Sequence, residues 1–169
     1  MSKKSLKKTA FAAYCAVMLW LLFHRAQPDT TASDFSYWAW VANNINLRPF
    51  HTIRLFLHVL LEPQGYIDRL GLDWYAANRQ HAIVNLGGNV LMFLPLGFFP
   101  PQIWPKLQRL WKTLCLAAII MCAVEIAQVL TLRGNCDIDD LLLNLAGVAM
   151  GYGLFQITPQ QKKGLSHKK

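Results

Sequence analysis

Four apolar runs divide the chain, and polar groups sit inside three of them. The runs cover about residues 9–24, 82–100, 113–132 and 141–157. Each approaches or matches the roughly 20 residues that a membrane-spanning helix requires, so each predicts a transmembrane helix. The first, Thr9 to Phe23, is the shortest, and Lys7 and Lys8 can snorkel to extend it. The segment His24-Arg25-Ala26-Gln27-Pro28 is a poor match to a small-x-small cleavage site. The run therefore reads as an uncleaved span rather than a signal peptide. The second run holds Asn85, Gly87, Gly88, Asn89 and Pro95, and the proline predicts a kink. Glu125 and Gln128 interrupt the third, and Asn144 lies in the fourth.

Residues 25–81 form a long first loop between spans. Within it, Phe50, Ile53, Leu57, Leu60 and Leu61 fall on one helical face, and His51, Arg54, His58 and Glu62 on the other. That spacing predicts an amphipathic helix, either lying in the headgroup plane or packed on the bundle. Pro63 and Gly65 are expected to end it. The expected fold is all-α: a small polytopic membrane bundle of four transmembrane helices plus this interfacial helix, forming a single domain over 1–169.

Composition agrees: 54% of residues are hydrophobic and 15% charged, too apolar for an ordinary soluble domain of this size. The net charge of +8 raises the question of nucleic acid, but its placement argues against that partner. Lys3, Lys4, Lys7, Lys8, Lys106, Arg109, Lys112, Lys162, Lys163, Lys168 and Lys169 cluster at the two ends and in one central loop, each beside an apolar run. Basic loops stay in the cytoplasm, so four spans with both termini cytoplasmic put all of them on one side, facing anionic lipid. The acids fall elsewhere: Asp29, Asp34, Glu62, Asp68 and Asp73 in the first loop, Glu125 in the third span, and Asp137, Asp139 and Asp140 in the last loop. Trp20, Trp104 and Trp111 suit the interfacial belts. Cys15, Cys115 and Cys122 lie in spans and only Cys136 in an outer loop, which is no disulfide framework.

Depth brings the polar groups together. At 1.5 Å per residue, Asn89 lies roughly 8–10 Å below the outer surface, Glu125 roughly 10 Å and Asn144 about 6 Å. A carboxylate near the bilayer centre costs about 2.5–3.5 kcal/mol, so such a group is kept because it pairs, binds or reacts. His81, Asn85 and Asn89 share one stripe, Glu125 and Gln128 another, and Asp137, Asp140, Asn144, Gly147 and Gly151 a third. Gly147 and Gly151 form a GxxxG pair that permits close helix contact. The expectation is an outward-facing cleft lined by Asn89, Glu125, Asp137, Asp140 and Asn144, with Arg133 and His81 at its rim. Structural alternatives stand beside this: interhelical hydrogen bonds for the asparagines, and an N-cap role for Asp137 or Asp139.

The same residues carry a family resemblance. Asn46-Leu47-Arg48-Pro49-Phe50-His51-Thr52-Ile53 resembles the NLxPFxTI segment of the VanZ-like membrane family. Asn85 through Gly97 resembles its NxxGNxxxFxPxG motif. Glu125-Ile126-Ala127-Gln128, then Arg133, Asp137-Ile138-Asp139-Asp140, Asn144 and Gly147, resembles its ExxQ and RxxDxDDxxxNxxG motifs, with one extra residue between Arg133 and Asp137. The resemblance implies a polytopic helical bundle in the cell membrane and a link to resistance against the glycopeptide teicoplanin. It implies no particular reaction.

Two function classes follow. In an enzyme, Glu125, Asp137 and Asp140 are the candidate catalytic groups, with Glu125 as general acid or base. His81, Asn85, Asn89, Gln128, Arg133 and Asn144 are the candidate substrate-binding groups. Asp137, Asp139 and Asp140 are candidate ligands for a divalent metal, the one cofactor considered. The expected partners are membrane lipids and a lipid-linked or glycolipid substrate. In a non-catalytic binding or structural protein, the same polar residues hold the bundle together. A transporter is less attractive for four spans without an inverted repeat. The chain has no nucleophile elbow, phosphate-binding glycine loop or zinc spacing.

Overall fold

The computed structural model describes residues 2–158 except 25, 26, 29, 32 and 33. Asp29 and the basic cluster Lys162, Lys163, Lys168 and Lys169 lie outside the described residues. Among the described residues, seven helices and two short strands run in the order α1 (Lys3–Phe23), α2 (Tyr37–Asn43), β1 (Ile45–Asn46), α3 (His51–Leu61), α4 (Pro63–Leu70), α5 (Leu72–Ile103), α6 (Leu110–Leu130), β2 (Cys136–Asp137) and α7 (Ile138–Gln156), with a 3-10 turn at Pro105–Leu107. Of these, α1, α5, α6 and α7 are long and apolar enough to cross a membrane.

Two boundaries move relative to the hydropathy pattern, for the same reason. Ser2 accepts a hydrogen bond from the Ser5 amide at 3.1 Å and caps α1, which therefore starts in the lysine cluster rather than at Thr9. The second spanning helix begins at Leu72, not Ala82, so the connecting segment between α1 and α5 ends at Gly71. Asp73, Asn78, Arg79 and Gln80 end the apolar run without ending the helix, because hydropathy reports lipid contact whereas helicity needs only paired backbone. At 1.5 Å per residue α5 is about 48 Å long, against a hydrocarbon core of roughly 30 Å. Its first turns therefore extend past the apolar layer.

Helix α5 is the hub, touching α1, α3, α4, α6 and α7. Its closest partner is α7, which runs parallel to it. A Cβ on Gly147 would fall 2.2 Å from the Val90 carbonyl oxygen, one on Gly151 1.9 Å from that of Leu94, and one on Gly97 1.9 Å from that of Val148. The glycines of each helix thus receive the backbone of the other. Three prolines, Pro95, Pro100 and Pro101, lie inside α5. Pro95 deprives the Leu91 carbonyl of its intrahelical donor. Next to that gap, the Tyr14 hydroxyl of α1 donates to the Met92 carbonyl at 2.8 Å. The core joins Met18 of α1, Phe93 and Leu96 of α5, Ala117 and Met121 of α6 and Val148 of α7.

In the segment between α1 and α5, α3 packs Phe56, Val59 and Leu60 toward the body and leaves Leu55, Leu57 and Leu61 exposed. The buried stripe is offset from the one the spacing predicted, and an exposed apolar edge remains. Pro63 separates α3 from α4 but also opens α4 as its first residue, and Gly65 lies inside α4 rather than ending a helix. β1 and β2 pair in parallel, Ile45 with Cys136 and Asn46 with Asp137. This ties the first loop to the start of α7.

Candidate functional site

The entrance to α7 carries three aspartates with three different jobs. Asp137 is its N-cap: Oδ1 accepts from the Asp139 amide at 2.9 Å. Its other oxygen accepts from the Thr52 hydroxyl at 2.6 Å and the Asn46 amide at 3.2 Å. Asp139 is 0% exposed and accepts from the backbone amides of Phe50 (2.5 Å), Thr52 (2.7 Å) and Ile53 (3.1 Å). It thereby caps α3, a helix with no side-chain cap of its own. It also holds Phe50 in the left-handed region, at φ 62°, a backbone state that a bulky residue adopts only under constraint. Asp140 faces α5, where its Oδ1 accepts from Asn89 at 2.7 Å and from Asn85 at 3.3 Å.

This arrangement disagrees with a metal bound by the aspartate trio. The oxygens of Asp137 and Asp139 are taken up by protein donors, and Asp140 points to a different helix. Among the described residues no three His, Cys, Asp or Glu side chains converge to hold a metal ion.

Two residues read as substrate-binding also take structural positions. Leu132, at φ 58°, ends α6 in a Schellman turn, with the Arg133 amide donating to the Gln128 carbonyl at 2.8 Å and the Leu132 amide to Val129 at 3.0 Å. The turn sends the Arg133 guanidinium to the Phe23 carbonyl at 2.8 Å, while the Gln128 amide donates to Leu22 at 2.7 Å. Both therefore cap the C-terminal end of α1, where a cation is favoured by the helix dipole. His81 is exposed and lies edge-on to Phe56 of α3, ring centres 5.4 Å apart.

Two sets do come together: Asp140 with Asn85 and Asn89, and Asn144 with Glu125 on one cavity. Asn144 stands one turn beyond Asp140 on α7 and is 4% exposed. Its side-chain oxygen, and that of Asn85, are buried without a hydrogen bond, at a cost of about 1–3 kcal/mol each. Asn144 and Glu125 are the polar ends of an otherwise apolar cavity of about 280 Å³ between α1, α5 and α6, walled by Phe11, Met18, Phe93, Leu96, Met121 and Val124 among others. Glu125 also borders a second cavity of about 160 Å³ with Cys122, Cys136 and Leu141. It thus stands between the two, its Oε2 buried. Burial, followed by the charge of Glu125, pushes the Cys136 thiol upward from its ordinary value.

The profile of a membrane-protein family, VanZ/LLP1, matches residues 11–158. The chain belongs to the VanZ/LLP1 family. No curated relative and no solved structure matches it. Its VanZ-type segments meet physically: the Asn46–Ile53 stretch is held by Asp137 and Asp139, and the Asn85–Asn89 face by Asp140. Sequence reasoning missed Thr52 and Asn46 as partners of the aspartates, because a loop that docks across the sequence has no periodic signal. It also missed the share of α1 in the cavity wall, although Phe11, Tyr14, Met18 and Leu22 follow helical spacing.

Proposed function

We propose that this VanZ-family membrane protein binds one cell-envelope amphiphile from the outer leaflet, its chain in the apolar cavity and its polar head at Glu125, Asn144 and Asp140. One observation carries this reading: apolar walls from several helices end in a buried carboxyl and a buried amide. At about 280 Å³ the cavity lies just under the roughly 300–1,000 Å³ range of small-molecule sites, which suits one hydrocarbon chain rather than a whole glycolipid. In this reading both termini are cytoplasmic, and the first loop and the α6–α7 turn face outward. Binding an envelope glycolipid there would alter how teicoplanin meets the outer surface, which is how the family link to resistance is accounted for.

A second reading, in which Glu125 transfers protons to a bound substrate, is favoured by its place between the two cavities. The test of binding is native mass spectrometry of the full chain released from lipid nanodiscs. One tightly retained lipid per chain is expected. Val124→Trp, which fills the cavity, is expected to lose it while keeping the same thermal midpoint. Undiminished retention in that variant overturns the proposal.

A further inference from the structure

We infer that the head group taken at this site is a hydrogen-bond donor, an amine or a sugar hydroxyl, and that heads without donors are refused. The inference rests on the lipid-binding reading above. Its ground is the balance of donors and acceptors around Asn144. The amide nitrogens of Asn85 and Asn89 each give an N–H to one oxygen of Asp140. Three other side-chain donors of the aspartate and α1 contacts bond elsewhere: the Thr52 hydroxyl to Asp137, the Gln128 amide to Leu22 and the Arg133 Nη1 to Phe23. The oxygens of Asn85 and Asn144 remain buried acceptors without a donor. They belong to facing helices locked together by the glycine contacts at Gly97, Gly147 and Gly151, so they cannot turn outward by separating α5 from α7. Asn144 borders the cavity, so a chain lodged there would bring its head to that side chain, whose terminal amide turns readily about χ2 to present the oxygen. A head that donates restores the missing hydrogen bond, whereas one that only accepts leaves the amide oxygen as it was.

The experiment is lipid competition on the full chain in nanodiscs, read by native mass spectrometry. Three lipids of matched acyl chains are used: phosphatidylethanolamine with N–H donors, a monoglycosyl diacylglycerol with O–H donors, and phosphatidylcholine with none. At least one donor-bearing lipid is expected to bind about tenfold tighter than the choline lipid, the equivalent of about 1.4 kcal/mol. A preference for ethanolamine alone identifies an amine, and a preference for the glycosyl lipid alone identifies sugar hydroxyls. Asn144→Leu is expected to bring all three within about twofold, while the thermal midpoint holds or rises because an unpaired buried amide has been removed. Asn144→Asp keeps the acceptor and is expected to keep the preference. Equal retention of the three lipids overturns the inference and leaves the lipid reading standing; retention of none removes the lipid reading itself. A preference that survives Asn144→Leu, one lost in Asn144→Asp, or an Asn144→Leu protein that no longer folds assigns Asn144 a structural role and overturns the inference.

Discussion

The Asp139 carboxylate caps a helix to which it does not belong, accepting the Thr52 backbone amide at 2.7 Å. Asp139 lies in the first turn of α7 and Thr52 in the first turn of α3, so one buried side chain couples the segment between α1 and α5 to the bundle. Asp139→Asn retains the shape but presents an amide to backbone N–H groups that need an acceptor. A loss of about 2–4 kcal/mol is expected, as for other broken buried charged networks. It is read as a lowered thermal midpoint of the purified protein. Asp140→Asn, whose carbonyl can still accept from Asn89, is expected to fold normally. Equal midpoints for the two variants would remove the distinction between a structural and a site aspartate.

The contact of α5 with α7 is a backbone contact, and it predicts a graded glycine series. Gly151→Ala and Gly97→Ala would each place a methyl 1.9 Å from a carbonyl oxygen, forcing the helices apart at a cost of about 2–3 kcal/mol or more. Gly153, on the same helix as Gly151, has nothing within 4 Å of such a methyl. Gly153→Ala is expected to be neutral or slightly stabilising, since alanine favours helix over glycine by about 1 kcal/mol. Thermal unfolding of the three variants side by side checks the order.

The four spans were legible because lipid imposes a length and an apolarity that few other constraints imitate. The meeting of Asn85, Asn89 and Asp140 was legible too, because helical periodicity and depth are both arithmetic. The roles of Asp139, Gln128 and Arg133 were not. Each bonds to backbone atoms of a distant segment, and every residue offers the same backbone atoms, so no side-chain pattern marks the partner. The start of α5 at Leu72 was hidden for a related reason: Asp73, Asn78 and Arg79 are poor in lipid but acceptable in a helix that reaches past it.

Cys136 offers a test of orientation. It lies in the turn between α6 and α7, outside the spans, whereas Cys15 lies in α1 and Cys115 and Cys122 in α6. With those three replaced by alanine, a membrane-impermeant maleimide is expected to label Cys136 on intact cells. The thiol is raised above its ordinary value by burial and by Glu125. Its reactive thiolate is therefore scarcer near neutral pH, and labelling should be slow there. The rate should still climb above about pH 8.5, where an unperturbed thiol is already half ionised. Labelling only after the cells are opened would place this turn in the cytoplasm and reverse the proposed topology.

Glu125→Gln separates binding from chemistry. The amide matches the carboxyl in size and keeps an acceptor oxygen at the junction of the two cavities, but it cannot exchange a proton as a general acid or base does. If the protein acts by holding an amphiphile, the variant should retain lipid within about threefold of the parent, a change of less than 1 kcal/mol. Where the parent raises the teicoplanin concentration needed to inhibit a susceptible host, as the proposed function expects, the variant should raise it as well. Full lipid retention with complete loss of that protection would mean that the proton on Glu125 is itself required. That outcome favours an enzyme over a binding protein, because occupancy would be intact while only acid–base capacity was gone.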